Sequence, residues 1–405
     1  MSDFAFGTYR ISDYNRQHIE ALKSAIVSGI KLIDTSSNYM DGGAERAIAL
    51  ALREFDDEVK STIQIVSKFG YIQGSNMLSH KETNFEEVVE YDDNCYHSIA
   101  PSFMQNQLSE SLLRLEMKKI DCYLIHNPEY YLLDAINKNI DYDTRMDEMY
   151  RRLYEVFVAL ENEVNNARIG SYGISSNSFS KPHDSEEFLP YEDLVTLAEK
   201  AAKQAGNNQH SFSTIELPIN FLERDGLHCA TWAKANGLRV LINRPLNAQH
   251  EGMMYRLADY EQSFDYYHSL NELMEFCENE NLKSLYNLLE QLDANKHKFG
   301  WIGDYETFLY SQIIPHIKER LTKLESSKQE NILPYLDIFL QEYRKMVLYE
   351  CSQTTKQKLQ PLLGDNENSL QKIALEYLMN QNVIDYILVG MRKESYVHEV
   401  MALKG

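Results

Sequence analysis

The chain has 405 residues, of which 43% are hydrophobic, so it can bury a substantial core; an eight-fold β/α barrel with an added region fits this length. Its 61 acidic and 40 basic residues give a formal net charge of −21, which disfavours nucleic acid and anionic membrane surfaces as partners. Five scattered cysteines without metal-ligand spacing favour neither a zinc site nor a disulfide framework. With no signal-like start and no apolar run of about twenty residues, we expect a cytoplasmic protein.

Short apolar runs alternate with longer segments of helical period over the first 245 residues, and one more such run lies near the end. The predicted strands are residues 4–10, 31–34, 63–68, 121–126, 169–174, 214–217, 238–243 and 386–389. Eight strands that alternate with helices predict an α/β fold, a closed parallel (β/α)8 barrel of the TIM type. An open doubly wound sheet is the alternative, but residues 11–14 lack the glycine-rich turn that usually follows its first strand.

Two long segments interrupt the alternation. Residues 69–100 are polar and acidic, and residues 251–366 are rich in Tyr, Leu, Glu and Lys. We therefore expect a barrel domain formed by residues 1–250 and 367–405, with a helical insertion at 251–366 after the seventh strand. Segments that follow barrel strands belong to the C-terminal face, where active sites lie, so the insertion is either a lid over this face or a tolerated decoration.

Polar side chains end three successive predicted strands. Asp34 ends the second strand, Lys68 the third and His126 the fourth, while Tyr39 lies in the loop after Asp34. Each residue alone has an ordinary explanation: a helix cap for Asp34, a chain extending to the rim for Lys68, loop packing for Tyr39 and a buried core histidine for His126. In a barrel, however, these strand ends converge around one axis, which is harder to explain by four separate structural roles.

The four side chains together suit one chemistry. A phenol has a pKa of about 10, and an adjacent ammonium favours its ionised form. Asp34 would keep Lys68 charged and aimed, and His126 would donate a hydrogen bond to a carbonyl oxygen. Tyr39 would then deliver a proton to that oxygen as hydride arrives at the carbonyl carbon.

The same residues resemble the signature of the aldo-keto reductase family. Asp34-Thr35, Tyr39 and the following Gly43-Ala44-Glu45 are similar to the family's first motif, and Lys68 and His126 match the other members of its catalytic tetrad. The His-Asn-Pro-Glu sequence at 126–129 resembles one branch of the family. The resemblance covers about 1–250 and 367–405, and the insertion has no counterpart in the ordinary family pattern.

The resemblance implies a nicotinamide cofactor, NADP with NAD as the second option, no metal, and a small-molecule carbonyl substrate. Arg392 and Lys393, expected at the start of the last helix, are candidates for holding a 2′-phosphate. The cofactor-binding residues implied in this way are Thr8, Tyr9, Ser175, Ser176, Asn177, Glu216, Arg244, Pro245, Leu246, Gly390, Met391, Arg392, Lys393, Tyr396 and Glu399.

Two positions depart from the family pattern. Glu216 stands where the family usually has a glutamine beside the nicotinamide amide, and it either adds negative charge near the ring or is paired within the protein. Val400 stands where an asparagine is expected after Glu399. The leading hypothesis is an enzyme that transfers hydride between the cofactor and a carbonyl or alcohol, and the alternative is a cofactor-sensing or protein-binding barrel with little turnover. The oligomeric state is left open.

Overall fold

A computed structural model of the chain describes residues 2–250 and 252–404. The chain divides into two compact units, one formed by Met1–Pro245 with Glu376–Gly405 and the other by Leu246–Leu375. The second unit therefore extends beyond the expected insertion of 251–366 on both sides. Within the described ranges, no helix combines the length and apolarity needed to cross a bilayer.

The first unit is a closed barrel of eight parallel strands, which confirms the predicted fold class. The strands are β1 (Asp3–Gly7), β2 (Leu32–Asp34), β3 (Gln64–Phe69), β4 (Ile120–His126), β5 (Ile169–Ser175), β6 (Phe212–Pro218), β7 (Arg239–Asn243) and β8 (Tyr386–Val389). Each strand pairs with its neighbour in the sequence, and β8 closes the barrel against β1. This order places the carboxyl ends of all eight strands around one mouth.

The first strand was predicted to run to residue 10, and that boundary was wrong. β1 ends at Gly7, and the chain then turns because the Ile11 N–H donates to the Thr8 carbonyl oxygen at 2.9 Å. Thr8 and Tyr9 therefore lie in a turn beyond the strand end.

Amphipathic helices cover the barrel. In the first of them, Arg16–Val27, the buried positions Ala21, Leu22, Ala25 and Ile26 recur at spacings of one and three and form one face, and the Asn15 side chain caps the helix by accepting from the Gln17 N–H. The helices of this unit are Arg16–Val27, Gly43–Leu52, Asp57–Ser61, Ser75–Thr83, Pro101–Leu115, Tyr130–Asn137, Tyr142–Asn165, Leu194–Gln204, Gly226–Ala235 and Glu394–Met401, with 3₁₀ turns at Ser178–Ser180 and Ala402–Lys404.

The segment after β3 contains regular structure. Besides the helix Ser75–Thr83, it forms a small antiparallel sheet of Tyr71–Ile72, Val89–Asp92 and Cys95–His97. The polar and acidic composition of this stretch gave no strand pattern from which these short strands could be predicted. The last of them ends at His97, which becomes important at the barrel mouth.

The second unit is mainly helical and has a hydrophobic core of its own. Its core includes Tyr266, Leu289, Phe339 and Tyr343, all fully buried. It begins with a hairpin of Asn247–His250 and Met253–Arg256, which the sequence analysis did not anticipate. Its helices are Tyr266–Asn279, Lys283–Asn295, Ile302–Phe308, Ile314–Leu321 and Ser326–Leu363, while Leu370–Met379 crosses the boundary between the units. A lid function for this unit stays a prediction.

One glycine of β5 is required by a close backbone approach. A Cβ at Gly173 would lie 1.9 Å from the Thr214 carbonyl oxygen of β6, at the point where the register between these strands shifts. Because backbone atoms cannot move aside as a side-chain end can, only glycine fits there.

We predict that Gly173→Ala destabilises the barrel by about 3 kcal/mol or more, since the added methyl group must displace a strand. Urea denaturation followed by circular dichroism measures the change. Gly300→Ala is the matched control, because its Cβ would meet open space, and it should change stability by less than about 0.5 kcal/mol. Equal stability of the two variants would contradict this prediction, because it would show that β5 and β6 can move apart without a cost in free energy.

Candidate active site

A buried lysine forms the centre of the barrel mouth. Lys68 is fully buried on β3, and its Nζ donates to Asp34 Oδ1 at the end of β2 and to the Thr35 carbonyl oxygen at 3.1 Å. A buried ammonium is tolerated only when anions and hydrogen-bond acceptors replace its water shell. The structure thus brings Asp34 and Lys68 together, as the sequence analysis expected.

A second carboxylate faces the same ammonium. Glu216 Oε2 on β6 lies 3.2 Å from Lys68 Nζ, as an ion pair without hydrogen-bond alignment, and Glu216 Oε1 accepts from Asn243 Nδ2 at 3.0 Å. Glu216 is thus paired within the protein, and its carboxylate forms a charged cluster with Asp34 and Lys68. Burial, assisted by Glu216, raises the pKa of Asp34. Burial alone would lower the pKa of Lys68, but the two carboxylates outweigh it and raise that pKa above its usual range.

Tyr39 lies against this cluster. Lys68 Nζ is 5.4 Å from the centre of the Tyr39 ring, which contacts His126 edge-on at 5.9 Å and Tyr9 at 5.2 Å between centroids. The four residues predicted from the sequence therefore meet at one place. The expected lowering of the phenol pKa is not what the surroundings favour: burial raises the pKa of Tyr39, and Lys68 only partly opposes it. Tyr39 is therefore a protonated donor at neutral pH.

His126 is held in a neutral form. Its Nδ1 lies 3.1 Å from the Ser36 hydroxyl oxygen, and burial lowers its pKa well below the usual value. The Ser36 hydroxyl donates its one hydrogen to Asn38 Oδ1 at 2.7 Å, and in that arrangement the Ser36 oxygen accepts from His126 Nδ1–H. The tautomer with its hydrogen on Nε2, which can donate to a ligand, requires the hydroxyl to turn toward Nδ1. Ser36 was not among the predicted site residues, although it follows directly after the Asp34-Thr35 motif.

His97 supports the backbone of His126. Its Nε2–H donates to the His126 carbonyl oxygen at 2.7 Å, and its ring stacks on Tyr130 at 5.0 Å. A Cβ at Gly70 would lie only 2.5 Å from the same oxygen, so this residue leaves room for the contact. Burial lowers the pKa of His97 to about 4. His97 was not predicted from the sequence because its partner is 29 positions away.

Glu129 joins the loops after β4 and β5. Its carboxylate accepts from the Ser176 hydroxyl at 2.8 Å and from the Asn177 N–H at 2.9 Å, and burial raises its pKa to about 7. Ser176 is thus engaged inside the protein. The Asn177 side chain is exposed and donates to Asn127 Oδ1 at 3.2 Å. Of the serine–asparagine stretch predicted to bind cofactor, Ser175 and Ser176 are buried and only Asn177 is open to solvent.

The predicted cofactor residues that follow β1 and β7 differ in exposure. Thr8 is buried and its hydroxyl donates to the Asp34 carbonyl oxygen at 2.9 Å, whereas Tyr9 is largely exposed. Arg244 pairs with Glu223 at 3.1 Å. Pro245 is buried, and Leu246 is the first residue of the second unit.

The segment after β8 presents both open and buried positions. Gly390 and Lys393 are exposed, and Lys393 Nζ lies 5.9 Å from the centre of the Tyr396 ring. Arg392 adds to the burial that lowers the pKa of His18, which places it near the first helix. The last helix begins at Glu394, so the two cations precede its first turn instead of opening it. The other positions are Met391 and Val400, which are buried, and Glu399, which is exposed.

No group of three or more metal-ligating side chains occurs in the described part of the chain, and the five cysteines are buried free thiols.

We predict that the free energy of unfolding falls less steeply at acid pH in His97→Gln than in the wild type. The folded-state pKa of His97 is lowered from 6.5 to about 4. The neutral His97 therefore contributes fully to the free energy of unfolding above pH 6.5, and this contribution is lost as the pH falls through 4. The loss amounts to at most about 3 kcal/mol, and glutamine keeps an N–H donor without a titrating group. Urea denaturation of both proteins at pH 7.5 and pH 4.5 gives the difference, and parallel profiles would contradict a neutral buried His97.

Comparison with known proteins gives a match to one protein family and to solved structures. The Aldo/keto reductase family model matches residues 4–282, and no curated protein matches. Among solved structures, the chain is similar to the glycerol dehydrogenase AKR11B4 from Gluconobacter oxydans, with 16% identity, a TM-score of 0.50 and coverage of 99% of this chain and 86% of that one. It is also similar to the holo form of the aldo-keto reductase AKR11C1 from Bacillus halodurans, with 14% identity, a TM-score of 0.49 and the same coverage.

The family model spans seven of the eight barrel strands and the residues at their ends that meet at Lys68. The chain belongs to the Aldo/keto reductase family.

Proposed function

We propose that this chain is an NADP-preferring oxidoreductase that transfers a hydride between the nicotinamide cofactor and a small aldehyde, ketone or sugar carbonyl, or the corresponding alcohol. The observation that carries the proposal is the buried Asp34–Lys68 ion pair beside Tyr39 and His126. Two charges in a barrel mouth are costly to bury. An acid–base function gives a reason for keeping them next to a phenol.

The proposed reaction divides the work among these residues. When bound, the nicotinamide supplies or accepts the hydride. In the reductive direction, His126 Nε2–H donates a hydrogen bond to the carbonyl oxygen, and Tyr39 passes its proton to the same oxygen as charge develops there. Lys68 stabilises the phenolate that remains, and Asp34 keeps Lys68 in place. In the oxidative direction, Tyr39 takes the alcohol proton.

The residues present fit a nicotinamide dinucleotide at several points. Two buried polar atoms near the end of β7, Asn243 Oδ1 and Arg244 Nε, have no hydrogen-bond partner within the described residues and are available to a polar group. After β8, the exposed Lys393 directly precedes a helix N-terminus, a combination that favours a phosphate. Asn177 offers an exposed amide at the end of β5. These residues would hold the cofactor along the strand ends.

A cofactor-sensing barrel with little turnover is the second candidate. The ion pair of Glu216 with Lys68 favours this candidate, because a second carboxylate weakens the electrostatic effect of Lys68 on the phenol of Tyr39. The two candidates share cofactor binding and differ in turnover.

We predict that Tyr39→Phe lowers carbonyl reduction by about 10²-fold or more, because the general acid is removed, and leaves cofactor binding unchanged. Binding is followed by quenching of tryptophan fluorescence on addition of NADPH, and turnover by NADPH absorbance over a panel of carbonyls. Tyr154→Phe, a half-buried tyrosine on the barrel helix Tyr142–Asn165, is the matched control. Full turnover by Tyr39→Phe would contradict the mechanism, and NADPH binding without turnover by the wild type would favour the sensor.

The preference for NADP has a separate test. Lys393→Ala is expected to weaken NADPH binding about tenfold and to leave NADH binding unchanged, because only NADPH carries the 2′-phosphate. Parallel titrations with the two cofactors measure the ratio, with Lys181→Ala, an exposed lysine elsewhere on the barrel, as the control. Equal weakening of both cofactors would remove Lys393 from phosphate recognition.

A further inference from the structure

The ammonium of Lys68 has three N–H bonds, and two of them are used within the barrel wall. One donates to Asp34 Oδ1 and one to the Thr35 carbonyl oxygen at 3.1 Å. The third can be directed either to Glu216 Oε2, 3.2 Å from Nζ, or toward Tyr39, whose ring centre lies 5.4 Å from Nζ. The proposed reaction needs this third bond to stabilise the phenolate of Tyr39.

Glu216 is well placed to take that bond. It is fully buried, and Asn243 holds its Oε1 at 3.0 Å while leaving Oε2 facing Lys68 without an aligned donor. A carboxylate in this position is an acceptor only, and its described donors are Asn243 at Oε1, the ammonium of Lys68 at Oε2 and, when it carries a proton, Asp34. A glutamine of the same shape would be neutral and would leave the ammonium to the phenol.

We propose that Glu216 is a positioning residue that competes with Tyr39 for the third N–H of Lys68 and thereby sets the pH range in which Tyr39 exchanges its proton. The inference rests on the proposed function, because it assigns the phenol a role in proton transfer. In reduction, a firmly protonated Tyr39 remains a donor up to alkaline pH. In oxidation, the phenol must first lose its proton to the solvent, so the oxidative activity rises only at high pH.

The surrounding charges support this assignment. Burial raises the pKa of Tyr39, Lys68 opposes the rise, and both carboxylates add to it. Removing the charge of Glu216 leaves one carboxylate on Lys68 and so strengthens its effect on the phenol. The titratable groups that face this cluster from the surrounding elements are Tyr9 after β1, Asp34 on β2, Tyr39 after β2, Lys68 on β3, His126 on β4 and Glu216 on β6.

The test compares Glu216→Gln with the wild type by two measurements. The first is the titration of Tyr39 in the cofactor-free protein, followed by NMR of ring-labelled tyrosine, with the Tyr39 signal assigned from its loss in Tyr39→Phe. The second is the pH profile of alcohol oxidation with NADP⁺. We expect Glu216→Gln to lower the midpoint of both by about one pH unit or more, because a like charge next to the phenol is removed.

Two variants control for the substitution itself. Glu216→Asp keeps the negative charge and should keep both midpoints near the wild-type values. Glu163→Gln removes another buried, ion-paired carboxylate, whose partner Arg168 lies outside the site, and should shift neither midpoint. An unchanged Tyr39 titration in Glu216→Gln would overturn the proposal, as would an equal shift in Glu163→Gln.

The two measurements separate this inference from the proposed function. A wild-type protein that oxidises and reduces nothing would remove the proposed function, while the NMR titration would still decide whether Glu216 controls Tyr39. Conversely, full turnover with identical titrations in the wild type and Glu216→Gln would remove only the role of Glu216.

Discussion

The barrel mouth depends on one constraint, the burial of a positive charge on β3. Lys68 has no access to solvent, so its ammonium must be compensated by protein groups from neighbouring strands. β2 contributes Asp34 and the Thr35 carbonyl, and β6 contributes Glu216 from across the barrel. β3 and β6 are not neighbours in the sheet, and barrel closure brings them to face each other. The charge cluster therefore depends on the closed barrel.

The same closure brings Tyr39 and its neighbours together. Tyr39 follows β2 by a few residues, so its ring reaches the cluster from the loop, and His126 approaches from β4. Two residues that precede His126 in the chain support it: Ser36 contacts its ring, and His97 donates to its backbone carbonyl oxygen. The small sheet after β3 is therefore more than a surface decoration, since its last residue, His97, holds the end of β4 in place.

Burial determines which protonation states the mouth contains. It lowers the pKa of His97 and of His126, so both imidazoles are neutral, and it raises the pKa of Tyr39, which keeps the phenol protonated. A neutral histidine and a protonated phenol are both hydrogen-bond donors, which suits a ligand that carries an oxygen acceptor. The second unit has a separate hydrophobic core that includes Tyr343.

Local patterns in the sequence predicted the eight-stranded barrel, which the structure confirms, and indicated Asp34, Tyr39, Lys68 and His126 as candidate site residues. The strand period and the polar residues at strand ends are local features, and so they can be read from the chain. The end of β1, the hairpin at the start of the second unit and the contacts of Ser36 and His97 came only from the tertiary structure, because short turns and pairings depend on distant partners. The partner of Glu216 was likewise decided by barrel closure, which places its carboxylate 3.2 Å from an ammonium 148 residues earlier in the chain.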